Sequence, residues 1–132
     1  MKKLIPSLLA LIAIAIAPVA VQAAHHEDMD HSEITPSSVI HVVTVSWKSD
    51  ASDADIQAAL DGVVTLAKEF DGIERVWIKT IKAQGERSHA FVMEFKSEQA
   101  LKDYAGSDAQ KKWYKVYLPA RDRSTTFDIT NS

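Results

Sequence analysis

Nine consecutive residues, Val39 to Trp47, restrict the fold of this chain more than any other stretch. Val-Ile-His-Val-Val-Thr-Val-Ser-Trp is rich in β-branched and aromatic side chains, which are stiff in a helix and pack well on a pleated surface. A strand sends alternate side chains to opposite faces. Val39, His41, Val43, Val45 and Trp47 therefore share one face, and Ile40, Val42, Thr44, Ser46 and Lys48 the other. The first set is expected against a core, which sets the His41 imidazole among aliphatic neighbours.

The residues before this strand divide in two. Lys2 and Lys3 form a short positive region, Leu4 to Ala17 an apolar one too short to span a bilayer comfortably, and Val21-Gln22-Ala23 a small-residue cleavage site. Residues 1–23 are read as a secretory signal peptide. Its removal leaves an exported chain, periplasmic or secreted, with no stable membrane anchor. Of 132 residues 109 then remain, enough for one domain. Loss of Lys2 and Lys3 from the 15 basic side chains leaves 13 against 18 acidic ones, a mature net charge of −5. Such a surface repels nucleic acid and anionic membranes. There is no cysteine, so disulfides, thiol catalysis and thiolate metal sites are excluded.

Residues 24–38 read as a disordered polar leader, without an apolar period and with a proline at 36. Its His25, His26 and His31 stand among carboxylates, a composition that holds divalent cations loosely. Cleavage after Ala23 would also place His26 third from a free amine, giving the square-planar nitrogen set that Cu(II) or Ni(II) prefers. No other cofactor is implied.

Beyond the first strand, Ser52 and Asp55 resemble a capping box, and Ile56, Leu60, Val63, Ala67 and Phe70 recur at helical spacing. Asp71-Gly72 is expected to end this helix, the glycine in the left-handed conformation. Ile73 to Ala83 reads as a second strand whose buried face is ambiguous, and His89 to Phe95, after the turn Gln84 to Ser88, as a third. Ser97 caps a helix carrying Ala100, Leu101 and Tyr104. Ser107 caps another, with Ala109, Trp113, Val116 and Leu118 on its apolar side, Lys111, Lys112 and Lys115 solvated, and Pro119 as its stop. Arg121-Asp122-Arg123 reads as a connector to a last strand, Ser124 to Thr130. Trp47, Trp77, Phe91, Phe95, Trp113 and Phe127 are expected in the core or in a pocket wall.

The order β-α-β-β-α-α-β specifies an α+β, ferredoxin-like fold: one antiparallel sheet with helices on a single side. The uncovered face, with Ile40, Val42, Val76, Ile78 and Val92, calls for a partner. A homodimer with the two open sheet faces together would bury it, pairing into a dimeric α/β barrel.

Four segments carry a resemblance: Val-Ile-His41-Val-Val, Phe70-Asp71-Gly72-Ile73, the strand His89 to Phe95, and Ser97 to Tyr104. Together, over residues 39–132, they resemble the stress-responsive A/B barrel domain, Dabb, whose members form dimeric α+β barrels. The resemblance implies a pocket near His41, His89 and Tyr104, which match by position the histidines and the tyrosine of polyketide cyclases of the olivetolic acid cyclase type. The catalytic histidine of those enzymes falls at Gln110, which cannot exchange a proton near neutral pH, and Ser107-Asp108 replaces a common His-Pro.

His41, His89, Tyr104, Gln110 and Trp113 are therefore pocket candidates, and no residue is assigned a catalytic role. The first expectation is a non-enzymatic, stress-related dimer binding a small apolar or aromatic molecule. An enzyme on the same fold, cyclase-like or resembling cofactor-free monooxygenases, is the alternative. Metal handling by the leader is the third.

Overall fold

The computed structural model describes residues 34–132. The segment read as a signal peptide, most of the expected leader, and its His25, His26 and His31 lie outside the described residues. Seven elements follow in the expected order: β1 (Val39–Trp47), α1 (Asp53–Glu69), β2 (Ile73–Trp77), β3 (His89–Phe95), α2 (Glu98–Tyr104), α3 (Asp108–Ala120) and β4 (Arg121–Ile129). The strands form one sheet, β2-β3-β1-β4, with every pair antiparallel.

The helix starts are where the side chains put them. Ser52 Oγ accepts from Asp55 N at 3.2 Å while the Asp55 carboxylate accepts from Ser52 N at 3.1 Å, so the box closes in both directions. Ser97 and Ser107 cap α2 and α3 through Ala100 N and Gln110 N. Gly106, between α2 and α3, has φ +80°, and its left-handed turn lets one helix follow another at once.

The ends depart from expectation in four places. Gly72 is not left-handed; α1 ends with Phe70 extended at φ −123°. The glycine is needed there for room, because a Cβ would run into the Phe70 ring and lie 3.0 Å from Ala100 Cβ. β2 stops at Trp77, not Ala83, since beyond it the Thr80 hydroxyl takes over the pairing, accepting from Ala90 N at 2.8 Å and donating to Ala90 O at 3.1 Å. Pro119 lies inside α3 and does not stop it: proline removes one N–H from the last turn, and the helix runs on to Ala120, whose carbonyl accepts from Lys48 N at 2.9 Å. Arg121 opens β4 directly, so there is no connector.

The inner face of the sheet follows the β1 alternation. Val39, Val43 and Val45 are buried against Phe91, Met93 and Phe95 of β3 and against Leu60, Val63 and Leu66 of α1. On α3 the buried residues are Trp113, Tyr117 and Ala120, while Val116 and Leu118 are exposed, which rotates the expected apolar side toward Tyr117. Gly62 of α1 makes this packing possible: a Cβ there would stand 2.7 Å from Trp113 Cδ1.

β2 reads ambiguously because its register shifts between Ile73 and Arg75. The bulge reverses the alternation, so Ile73 and Val76 both face the core while Arg75 and Trp77 take the outer face. The outer face consequently differs from expectation. Val76 and Ile78 pack inward, and Trp77, Phe127 and Ile129 join Ile40, Val42 and Val92 outside. Trp77 and Phe127 are 48% and 58% exposed, not core residues.

Glu94 also lies on this outer face, yet is only 2% exposed. Arg75 Nη2 donates to Glu94 Oε1 at 2.8 Å, Arg75 Nε to Oε2, and Ser38 Oγ to Oε1 at 2.7 Å. The Arg75 guanidinium holds the carboxyl below its ordinary range, with Ser38 adding in the same direction and burial opposing. Ser38 thus brings the end of the leader onto the sheet, as do Thr130 Oγ1 to Ser37 O at 3.3 Å and Asn131 Nδ2 to Pro36 O at 3.0 Å.

Candidate functional site

On the helix side of the sheet, β1 and β4 present facing pairs: His41 opposite Asp128, Val43 opposite Thr126, and Val45 opposite Ser124. Above them α3 offers Gln110, Trp113, Tyr114 and Tyr117, spaced three and four apart and so on one side of the helix. Arg121 follows by one further turn. Tyr104, at the end of α2, completes the wall. All of these except Asp128 and Val45 line a pocket of about 140 Å³ within one chain.

At the β1 end, His41 Nδ1 lies 2.6 Å from Asp128 Oδ1. An ionised carboxylate only accepts, so Nδ1–H donates and the neutral ring keeps its lone pair on Nε2. The imidazole is set edge-on to Phe95 and Tyr104, with centroids 5.8 and 6.1 Å away. Burial pushes the Tyr104 phenol far up, and the Gln110 amide offsets this in part. Tyr104 therefore keeps its proton at neutral pH. Gln110 is spent on structure: its Oε1 accepts from Gly106 N at 2.7 Å and its Nε2 donates to Tyr114 Oη at 3.1 Å.

Across the pocket, Trp113 stacks on Tyr117 at 4.4 Å with the rings 10° from parallel, and its Nε1 donates to Ala59 O at 2.9 Å. Among the described residues, the buried Tyr117 hydroxyl and Arg121 Nε make no hydrogen bond of normal geometry, although Ser124 and Arg121 stand close enough to act on the phenol. Burial raises the Tyr117 phenol, against the pull of Ser124 and Arg121. Arg121 Nη1 donates to Ser124 Oγ at 3.1 Å, and its guanidinium carbon lies 5.7 Å from the Tyr117 ring centroid.

Of the five pocket candidates from the sequence, the structure brings together His41, Tyr104, Gln110 and Trp113. His89 stands apart. It faces Val45, four residues along β3 from the partner of His41, roughly 13 Å away at strand rise. Its Nδ1 accepts from Trp47 Nε1 at 2.9 Å, and it lines a separate cleft with Gln57, Leu60, Ile78, Lys79 and Thr80. Asp128, Tyr114, Tyr117, Arg121, Ser124 and Thr126 were not legible as site residues. The even positions of β4 and the α3 spacing from Gln110 carried a signal, but only register against β1 shows which side of β4 faces in.

Residues 39–131 match the family model of the Stress responsive A/B Barrel Domain. The chain belongs to the Dabb family. Solved structures similar to this Dabb chain share its ferredoxin-like α+β fold. A Dabb family protein with a ferredoxin-like fold from Mesorhizobium loti superposes with TM-score 0.60 at 15% identity, covering 70% of this chain and 95% of that one. A dimeric protein of unknown function with a ferredoxin-like fold from Bacteroides fragilis gives 0.59 at 16%, covering 73% and 98%. A hydroxynitrile lyase from Passiflora edulis gives 0.64 at 18%, covering 71% and 93%. No curated protein matches the Dabb chain significantly.

Proposed function

We propose that this Dabb protein is exported and homodimeric, and that each protomer holds a small apolar or aromatic molecule between its sheet and its helices. The pocket itself carries the reading. Aromatic walls from Tyr104, Trp113, Tyr114 and Tyr117 surround a few converging polar groups, the usual composition of a small-molecule site. Its volume is close to that of a cavity which takes one benzene ring, about 150 Å³. A stress-related role is supported by the family description alone.

Dimerisation uses the other side of the same strands. Ile40, Val42, Trp77, Val92, Phe127 and Ile129 leave an apolar outer face whose burial would be favourable, and the B. fragilis neighbour is described as dimeric. Ligand and partner then occupy opposite faces of β1 and β4. Native mass spectrometry of protein expressed with its own leader tests both parts at once. The expected result is a dimer of chains beginning at Ala24 that carries an additional small mass. A monomer with nothing bound overturns the reading.

One observation favours an enzyme as the second reading. The Asp128 carboxylate orients His41 beside the pocket and leaves Nε2 to take up a proton, the arrangement a general base needs. A proton-transfer enzyme, cyclase-like or lyase-like, would lose turnover in His41→Ala and keep its substrate affinity. A pure binding protein shows no turnover to lose.

A further inference from the structure

The three tryptophans of the chain differ in what their indoles touch, and the difference is chemical. Trp113 Nε1–H donates to Ala59 O at 2.9 Å, a backbone carbonyl that takes up no proton. Trp77 has the Arg75 guanidinium carbon 5.7 Å from its ring centroid, so positive charge on that ring would be repelled. Trp47 Nε1–H donates instead to a base, His89 Nδ1, at 2.9 Å. An indole nitrogen only donates, so Nδ1 carries the lone pair and a neutral His89 keeps its proton on Nε2; the Ser88 hydroxyl, 3.1 Å from Nδ1, then approaches as a second donor. Trp47 also belongs to the aromatic cluster. Its ring stands edge-on to Tyr117 with centroids 6.1 Å apart, Tyr117 stacks on Trp113 at 4.4 Å, and Trp113 lies 5.4 Å from Tyr114. Four rings in contact thus lead from the pocket under α3 to the separate cleft that His89 lines.

From this we propose that Trp47 and His89 form a proton-coupled redox pair, at which one-electron oxidation of the aromatic cluster comes to rest. The co-reactant is a small-molecule radical that accepts one electron. It takes that electron from a ring of the chain and is itself reduced. An oxidised indole is a far stronger acid than the parent indole, so it gives up its N–H proton where a base already touches that nitrogen. Among the described residues this holds at Trp47. The Nε1–H bond breaks, a bond from that proton to His89 Nδ1 forms, and the products are a neutral indolyl radical at Trp47 and an imidazolium at His89. An electron vacancy formed first at Trp113 keeps its proton against Ala59 O and is passed on across the Tyr117 ring. The pair uses neither His41 nor the outer face of the sheet, and so acts independently of ligand binding and dimerisation.

The test is flash photolysis of the protein with tris(bipyridyl)ruthenium and a quencher, which generates Ru(III) as the one-electron oxidant. The neutral indolyl radical and the indole radical cation have distinct visible absorption bands. In the native protein the first radical seen is expected to be the neutral one, formed more slowly in heavy water because the proton moves with the electron. Trp47→Phe, which keeps an aromatic ring against Tyr117, should lose this early signal. His89→Gln should shift the early product to the radical cation, since the glutamine carbonyl still accepts from the indole but does not take its proton. Where a variant does not fold, the band and the isotope effect of the native protein decide. A radical cation as the early native product, a neutral radical of native yield and speed in Trp47→Phe, or a His89→Gln spectrum identical to the native one overturns the proposal.

Discussion

Across the β1–β4 ladder, His41 Nδ1 and Asp128 Oδ1 meet at 2.6 Å, joining residues 87 positions apart in the chain. The contact needs two things at once: the register of β4 on β1, and the inward alternation of both strands. It turns a histidine on an apolar face into an oriented one, half sheltered by Tyr104 and Phe95.

The tautomer of His41 should therefore depend on Asp128. In the native protein long-range ¹H–¹⁵N spectra should show the proton on Nδ1 when the ring is neutral. In Asp128→Ala the Nε2–H form, which free imidazole in water favours, should take over, at a stability cost of about 0.5 to 1.5 kcal/mol for one hydrogen bond at a partly exposed site. An unchanged spectrum would mean the carboxylate does not set the ring.

Gly62→Ala should cost about 1 to 3 kcal/mol in urea unfolding, although alanine is the better helix former. Its Cβ would fall 2.7 Å from Trp113, whose indole is held between the Tyr117 ring and Ala59 O and cannot retreat. A stabilised variant would show that α1 and α3 approach less closely than described.

Acid should act through Glu94. Its carboxyl is held below the ordinary value of 4.5 by Arg75, so the folded state binds the proton less readily than the unfolded one. The stability it contributes is full above about pH 4.5 and is lost as the pH falls through the lowered folded value. Glu94→Gln should accordingly destabilise by about 1 to 3 kcal/mol at pH 7, and the gap to the native protein should close toward pH 3. A gap that is constant with pH would assign the loss to packing.

If the chain pairs through its open sheet face as proposed, Phe127→Glu should dissociate that dimer while sparing the monomer fold. The side chain is 58% exposed within one chain, so charge is tolerated there, but two sheets in face-to-face contact would have to bury it. Light scattering at micromolar concentration should report half the native mass, and the circular dichroism should not change. A dimer that persists would place the interface elsewhere.

Much of the fold was legible from local pattern. The β1 alternation, the serine caps at 52, 97 and 107, and the order of elements all rest on interactions within a few residues, and each holds in the structure. The same locality explains the misses. The Ile73/Arg75 bulge inverts the face of β2 through its pairing with β3, the α3 side is chosen by where Gly62 admits Trp113, and Pro119 is tolerated because only one bond of the last turn is lost.

The site divides along the same line. His41, Tyr104, Gln110 and Trp113 stood out in the sequence by residue type and resemblance, and they share a wall. His89 resembled them equally but sits four residues away along the sheet, where strand rise carries it to another cleft. Sequence alone determined the elements, their order and the alternation of β1, because rotamer preference, capping and period act over a few residues. Tertiary structure alone decided that Asp128 meets His41 and that Arg121 and Tyr117 line the same pocket. Those contacts depend on strand register and helix rotation, which the packing of distant segments sets together.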